Sequence, residues 1–310
     1  MSVTHLPTLK QLRYLVALEE QQHFGKAAEA CFVSQSAFSV AIRELESTLN
    51  VQLVDRTNKQ VTFTAIGRDV ATQARLCLRD AEQLVELARH PQTPLAGQLS
   101  LGVIPTIAPF LLPAFMPSLQ ENYPRLQLYL REDTTANLLE ALLNGEIDVV
   151  LMALPYDVRH AEVMTLFNDP FRLACRAGTH LVDPLHYSFN RLQQESVLLL
   201  EDGHCLRDHA LAACKLKQQE KLNRFAASSL LTLVQMVDAD LGITYLPAMA
   251  DGTPLLANTR VKTYPLDAGA YREIGLVWRR GSARGEEFRL LGEFVRAHRD
   301  VKPGKPAGGG

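Results

Sequence analysis

The chain has 310 residues, enough for two domains at roughly 150 residues each. With 47% hydrophobic and 21% charged residues, neither a disordered chain nor a coiled-coil rod fits the whole. The formal net charge of −2 gives no global attraction to nucleic acid, and no apolar run approaches the roughly 18 residues of a membrane span. The opening MSVTHLPTLKQ lacks the basic-then-apolar layout of a signal peptide, so the expected location is the cytoplasm. Five cysteines, an odd number with no CxxC pair, argue against a disulfide framework and leave metal, catalytic or redox roles open.

In chain order, apolar residues from Leu9 to about Gln21 recur at mostly helical spacing. A short Ala-rich helix at 25–31 follows, Phe32-Val33-Ser34 breaks it, and Ser34 or Ser36 caps a third helix carrying Phe38, Ile42, Leu45 and Leu49. Residues 51–56 and 60–64 are strand-like and suit a hairpin wing through Thr57-Asn58-Lys59, which completes a winged helix-turn-helix pattern. Its charge is balanced over residues 1–66, with six cations (Lys10, Arg13, Lys26, Arg43, Arg56, Lys59) and six anions (Glu19, Glu20, Glu29, Glu44, Glu46, Asp55). Thr64 caps a further helix in which Val70, Ala74, Cys77, Ala81, Leu84 and Ala88 form an a/d seam, predicting a partner helix and thus a dimer. Residues 91–97 read as a hinge. Strands at 99–104, 126–130 and 147–153 then alternate with helices after Thr106 and near 137–144, an α/β pattern with a largely parallel sheet. The theme repeats with strands at 197–200, 224–227 and 242–246 and helices from about Cys205 and near 230–237, which suggests two subdomains around a ligand cleft. The tail at 301–310 has no apolar content to fold around.

Cys205 follows the turn signal Asp202-Gly203 and so sits at a helix start, where partial positive charge favours a thiolate and His204 and Arg207 add to it. A thiolate is what peroxide oxidises, and Cys214 is the candidate thiol to condense with the sulfenic acid. Nine residues of helix rise about 13.5 Å and turn through about 900°, placing the two cysteines on opposite faces. A disulfide needs Cα atoms within about 7 Å, so closing it requires this helix to unwind. A zinc site from His204, Cys205, His209 and Cys214 is possible in composition but lacks paired short chelate loops, so no metal or other cofactor is expected. Cys31, Cys77 and Cys175 fall in apolar patterns and read as core. There is no phosphate-binding glycine loop, GxSxG elbow or HExxH motif, and the chain does not read as an enzyme.

The stretch from His23 to Gly67, HFGKAAEACFVSQSAFSVAIRELESTLNVQLVDRTNKQVTFTAIG, resembles the DNA-binding domain of LysR-type transcriptional regulators. The blocks LLLEDGHCLRDHALAAC at 198–214, IPTIAPFLLP at 104–113 and REIGLVWRRGS at 272–282 narrow the resemblance to the peroxide-sensing OxyR subfamily. The resemblance implies an α+β multi-domain chain. Its parts are a winged helix-turn-helix (1–64), a linker and dimerisation helix (65–90), the hinge, a periplasmic-binding-protein-like α/β regulatory domain of two subdomains (98–300) and a disordered tail. It implies double-stranded operator DNA and RNA polymerase as partners, a dimer of dimers (a homotetramer), hydrogen peroxide as the signal and a thiol system for reset. Ser34, Gln35, Ser36, Ser39, Arg43 and Arg56 would face DNA.

In the same resemblance Cys205 is oxidised and forms a disulfide with Cys214. Thr106 and Thr135 help hold peroxide, Asp208 is an acid near the reactive cysteine, and Arg272 approaches the thiolate. The chain departs from the family at Ser36-Ala37-Phe38, Ala41 and Glu44 in the recognition helix, at Asn50 after it, and at Arg224–Ser229, Leu231 and Asp240-Leu241. The alternative within the family is a regulator answering a small organic ligand in the cleft.

Overall fold

The computed structural model describes residues 6–56, 61–89, 94–158, 161–214, 219–266 and 269–299. The chain divides into two compact units, Met1–Thr93 with Leu143–Glu146, and Pro94–Leu142 with Ile147–Gly310. The wing turn, the first three residues of the hinge and the tail, expected at 57–59, 91–97 and 301–310, fall on residues 57–60, 90–93 and 300–310, outside the described residues.

In the first unit, α1 (Leu9–Gln21) opens with a capping box in which Thr8 Oγ1 accepts from Gln11 N–H and the Gln11 side chain accepts from Thr8 N–H. The α2 helix (Phe24–Ala30) is capped by His23 Nδ1, which accepts from the Gly25 and Lys26 amides. Ser34 caps α3 (Gln35–Leu49), accepting from Ala37 N–H at 3.3 Å. Leu15, Leu18, Phe38, Ile42 and Leu45 close the core of these three helices, with Tyr14 stacked on Phe38 at 4.9 Å. The wing pairs β1 (Val54–Arg56) with β2 (Val61–Phe63) antiparallel. Glu46 ties it to α3 by accepting the Leu53 and Val54 amides at 2.9 and 3.2 Å, so this anion has a structural use.

Two left-handed residues end the helices of the helix-turn-helix. After α3 stands Asn50 (φ 51), which tolerates that conformation. After α2 stands Phe32 (φ 57), inside a Schellman closure in which Phe32 N–H donates to Glu29 and Val33 N–H to Ala28. A non-glycine side chain there costs on the order of 1 kcal/mol.

The α4 helix (Ala65–Arg89) begins where a Cβ on Gly67 would lie 2.0 Å from the Leu53 carbonyl, so only glycine permits the approach. Its Ala71 and Ala74 are buried in the core with Val70 packed beside them, and the helix lies on α1. The first part of the expected seam is therefore filled within its own unit, which corrects the reading that all of it needs a partner helix. Further along, Leu84 is 68% exposed and Val85 45%.

The second unit holds a mixed sheet rather than the largely parallel one expected. Its strand order is β10-β6-β11-β5-β3-β4, with β9 also pairing β6. The strands β3 (Gly97–Val103), β4 (Leu126–Glu132) and β5 (Val149–Leu154) pair in parallel. The long β6 (Ala161–Arg176), β9 (Thr244–Pro247), β10 (Val261–Pro265) and β11 (Tyr271–Arg279) join by antiparallel ladders. A separate parallel pair joins β7 (Val197–Leu200) and β8 (Leu222–Ala227).

Around these strands pack α5 (Ala108–Asn122), α6 (Thr135–Leu143), α7 (Cys205–Ala213), α8 (Leu230–Asp238) and α9 (Gly285–His298). There are two hydrophobic cores, one built on β3, β5, β11, α5, α6 and α9, the other on β6, β7, β9 and α8. β6 contributes to both, so it links the two subdomains. No described helix is long and apolar enough to cross a membrane.

Candidate functional site

The α7 helix starts after Gly203, whose φ of 100 supplies the turn, and His204 stands at its N-cap without a side-chain capping bond. Cys205, the first helical residue, is buried at 5% exposure and belongs to the first core. Its thiol pKa is pushed up by burial. The Thr135 hydroxyl and the Arg272 charge oppose that rise, and Asp208 adds to it. The low-pKa thiolate expected from the helix start is thus overridden by desolvation. Arg207, expected to assist it, instead pairs with Asp202 at 3.2 Å and donates to the Leu200 carbonyl. Asp208 is exposed on the helix.

Arg272 is the cation of the site. It lies on β11 directly opposite Asp169 on β6, a cross-strand pair. Nε donates to Asp169 Oδ2 at 3.0 Å, Nη1 to Thr106 Oγ1 at 2.9 Å and Nη2 to the Thr106 carbonyl at 2.9 Å. Burial pushes the Asp169 carboxyl up while Arg272 and the Met249 and Ala248 amides pull it down. Removing one member of so buried a pair costs about 3–5 kcal/mol, which makes Arg272 a fixed part of the architecture.

Thr106 accepts from Arg272 and keeps its own O–H to donate. Thr135 Oγ1 is buried, approaches the Cys205 thiol, and has no partner of hydrogen-bond geometry.

His209 lies one turn beyond Cys205 on the buried face of α7. Its Nε2 bonds the Pro155 carbonyl at 2.9 Å; a carbonyl only accepts, so Nε2 carries the hydrogen and Nδ1 has the lone pair. Nδ1 is buried and unpartnered. Burial, reinforced by Arg272, lowers the imidazole pKa against the opposing pull of Pro155 and Asp208, which favours the neutral ring.

Cys214 caps the other end of α7 and packs against the second core. Burial pushes its thiol up to about 12. It neighbours Tyr187 and Tyr245, whose hydroxyls meet at 2.5 Å. All five cysteines are free. The helix therefore holds the two thiols in different cores, and among the described residues no three His, Cys, Asp or Glu side chains converge as for a metal.

Sequence reasoning assembled Cys205, Thr106, Thr135 and Arg272. It missed Asp169, for which only the β6–β11 register is a signal, and it weighed His209 only as a zinc ligand, although its spacing of four from Cys205 marks a shared helix face.

In the first unit Ser34, Gln35, Ser36 and Arg43 are exposed along the N-terminal half of α3, with Ser39 half-buried among them. Ser34 and Ser36 hydroxyls lie 3.1 Å apart, and Arg43 Nε donates to the Ser39 carbonyl. Arg56 ends β1 opposite Val61.

Residues 9–68 match the family model for the bacterial regulatory helix-turn-helix protein, lysR family, and residues 92–300 match that for the LysR substrate binding domain. The chain is 39% identical over 293 residues to the HTH-type transcriptional regulator EstR of Acinetobacter baylyi, covering 94% of this chain and 97% of the relative. It is 38% identical over 292 residues to the DNA-binding transcriptional dual regulator OxyR of Escherichia coli, covering 94% and 96%.

Among solved structures, full-length OxyR from Pseudomonas aeruginosa, as a cysteine-to-aspartate variant, matches with TM-score 0.77 and 33% identity over 97% of this chain and 100% of that one. The reduced regulatory domain of OxyR2 from Vibrio vulnificus matches with TM-score 0.63 and 45% identity over 66% and 96%. With both of its parts matched and relatives of this identity spanning nearly its whole length, the chain belongs to the LysR family of DNA-binding transcriptional regulators.

Proposed function

We propose that this regulator answers hydrogen peroxide by oxidising Cys205 and closing a disulfide to Cys214. The observation that carries the reading is a buried cysteine at a helix start beside an unengaged Thr135 hydroxyl, a fixed Arg272 and a neutral His209, with a second cysteine held in the other core. Orphan polar atoms in a buried site call for a small polar guest. A relative named hydrogen peroxide-inducible genes activator, and an OxyR variant of Corynebacterium glutamicum solved with H2O2 bound, agree with that guest being peroxide.

The Cys205 thiol passes its proton to His209, and the thiolate attacks one peroxide oxygen. The O–O bond breaks, and the departing hydroxide takes the proton back and leaves as water. Sulfur is thereby oxidised to sulfenic acid and peroxide reduced. Cys214 then attacks the sulfenic sulfur, the S–S bond forms and a second water leaves. A cellular dithiol supplies the two electrons for reset. Arg272 stabilises the thiolate, and Thr106 and Thr135 donate to the peroxide oxygens. His204, Arg207 and Asp208 shape the turn and the helix start. Unwinding of α7 carries the signal to a dimer of dimers on double-stranded DNA, and so to RNA polymerase.

The test is intact mass and thiol counting after about one equivalent of hydrogen peroxide, with peptide mapping. The expected result is rapid loss of two protons confined to Cys205 and Cys214; two thiols that stay reduced overturn the reading. The second reading is a small organic ligand in the cleft, kept because the regulator named EstR, at 39% identity, matches as well as a relative named hydrogen peroxide-inducible genes activator, at 38%. It predicts that Cys205→Ser leaves the response to ligand intact.

A further inference from the structure

Phe32 occupies a place that folding alone does not choose for it. It is 95% exposed, the highest value among large apolar side chains of the described residues. Its φ of 57 is the left-handed position of the Schellman closure between α2 and α3, where glycine or asparagine is the economical residue, as Asn50 is after α3. Both the backbone strain and the bare ring work against the isolated domain. Strain retained against such a cost marks a functional position. The place itself says which function: two residues on, Ser34 caps the recognition helix, and Gln35 and Ser36 are exposed beside it. The N-terminal end of that helix is the part that meets base edges in the major groove.

We propose that Phe32 is a specificity-determining contact that packs its ring on the C5-methyl of a thymine in the operator half-site. A phenyl ring has no donor or acceptor for a phosphate or a base edge, and the thymine methyl is the apolar feature that the major groove offers. The charge balance of the domain makes such a contact matter, since six cations offset by six anions over residues 1–66 leave little non-specific attraction. The proposal rests on the family's DNA binding and is independent of the peroxide chemistry.

The test uses the full-length chain and a duplex that the wild-type protein selects from a random-sequence pool. Affinity is measured by fluorescence anisotropy at fixed salt for that duplex and for versions with single thymines replaced by uracil, which removes only the methyl. Wild type is expected to lose roughly fourfold at one thymine of each half-site, the value of one buried methyl. Phe32→Asn, which suits the left-handed backbone, is expected to bind the thymine duplex more weakly by the same factor and to ignore the uracil change. Phe32→Gly is expected to do likewise while melting at a higher temperature than wild type. Variants that bind as wild type, or that keep the uracil sensitivity, overturn the proposal. If the wild-type chain retains no duplex from the pool, DNA binding itself fails, and that result is distinct from a loss confined to the variants.

Discussion

At residue scale the site is a contest between burial and charge. Cys205 and His209 stand one turn apart on the same helix face, and burial drives both toward their neutral forms, the thiol upward and the imidazole downward. The lowered imidazole has a consequence for stability. A group whose folded pKa lies below its unfolded value, about 6.5 for histidine, binds fewer protons when folded. The stability it contributes is present above that unfolded value and is lost as pH falls through the folded one. The charged groups acting on His209 are Arg272, which favours the neutral ring, and Asp208, which favours the protonated one. Wild type is therefore expected to lose stability below about pH 6.5 more steeply than His209→Gln, by at most about 1.4 kcal/mol per pH unit. Urea unfolding between pH 5 and 7.5, followed through the buried single tryptophan Trp278, reads the difference. Equal slopes would remove the neutral-base assignment. Local sequence gave access to Cys205 and its turn because Gly203 and the helix start are adjacent in the chain. Asp169 was out of reach because a pairing between residues 103 apart appears only once β6 and β11 are in register.

At element scale, α7 is both the holder of the two thiols and the barrier between them. Its helical geometry keeps Cys205 and Cys214 about 13.5 Å apart along the axis, beyond the reach of a disulfide. In the proposed chemistry, the rate of closure after sulfenic acid formation therefore depends on how readily α7 opens. Ala212 is exposed on this helix, so changing it to glycine weakens the helix by about 1 kcal/mol without touching either core. Ala212→Gly is expected to speed disulfide closure roughly fivefold, the factor that corresponds to about 1 kcal/mol, while leaving the first oxidation step at its wild-type rate. Stopped-flow tryptophan fluorescence with quenched peptide mapping separates the two phases, and an unchanged second phase would mean that closure does not pass through an opened α7.

Elements with local signals were legible from sequence. Ser34, Thr64 and the Asp202-Gly203 turn mark the starts of α3, α4 and α7 by side-chain caps and a left-handed glycine. The strand β6 was not, because Asp169-Pro170 interrupts its pattern as a turn would, although in the fold both residues sit in register opposite Arg272 and Tyr271. The sheet became mixed for the same reason: β6 and β11, strands without a local signature, pair antiparallel with each other and bring β5, β9 and β10 into antiparallel ladders.

At the scale of the whole molecule, the proposed dimer gains affinity by engaging two half-sites at once, and the far end of α4 carries exposed apolar residues for a second copy to hold. The sequence seam ran from Val70 to Ala88, but Val70 and Ala74 are committed to the core of the first unit, and their pattern could not disclose that α1 would lie against this helix. What is left for a partner is the later stretch, where Leu84 and Val85 are exposed. Leu84→Glu removes an apolar contact there and adds like charges across a two-fold axis, while no buried residue of its own unit is disturbed. The variant is expected to sediment as a monomer at micromolar concentration where wild type sediments as a dimer or larger. It is expected to lose about a hundredfold in affinity for a duplex with two half-sites, as bivalent engagement ends, and much less for a single half-site. Cys205 should still take up about one equivalent of peroxide, because the chemistry lies wholly within the second unit. Unchanged sedimentation of Leu84→Glu would place the dimer contact elsewhere. A parallel loss of peroxide reactivity would show instead that the redox site depends on assembly.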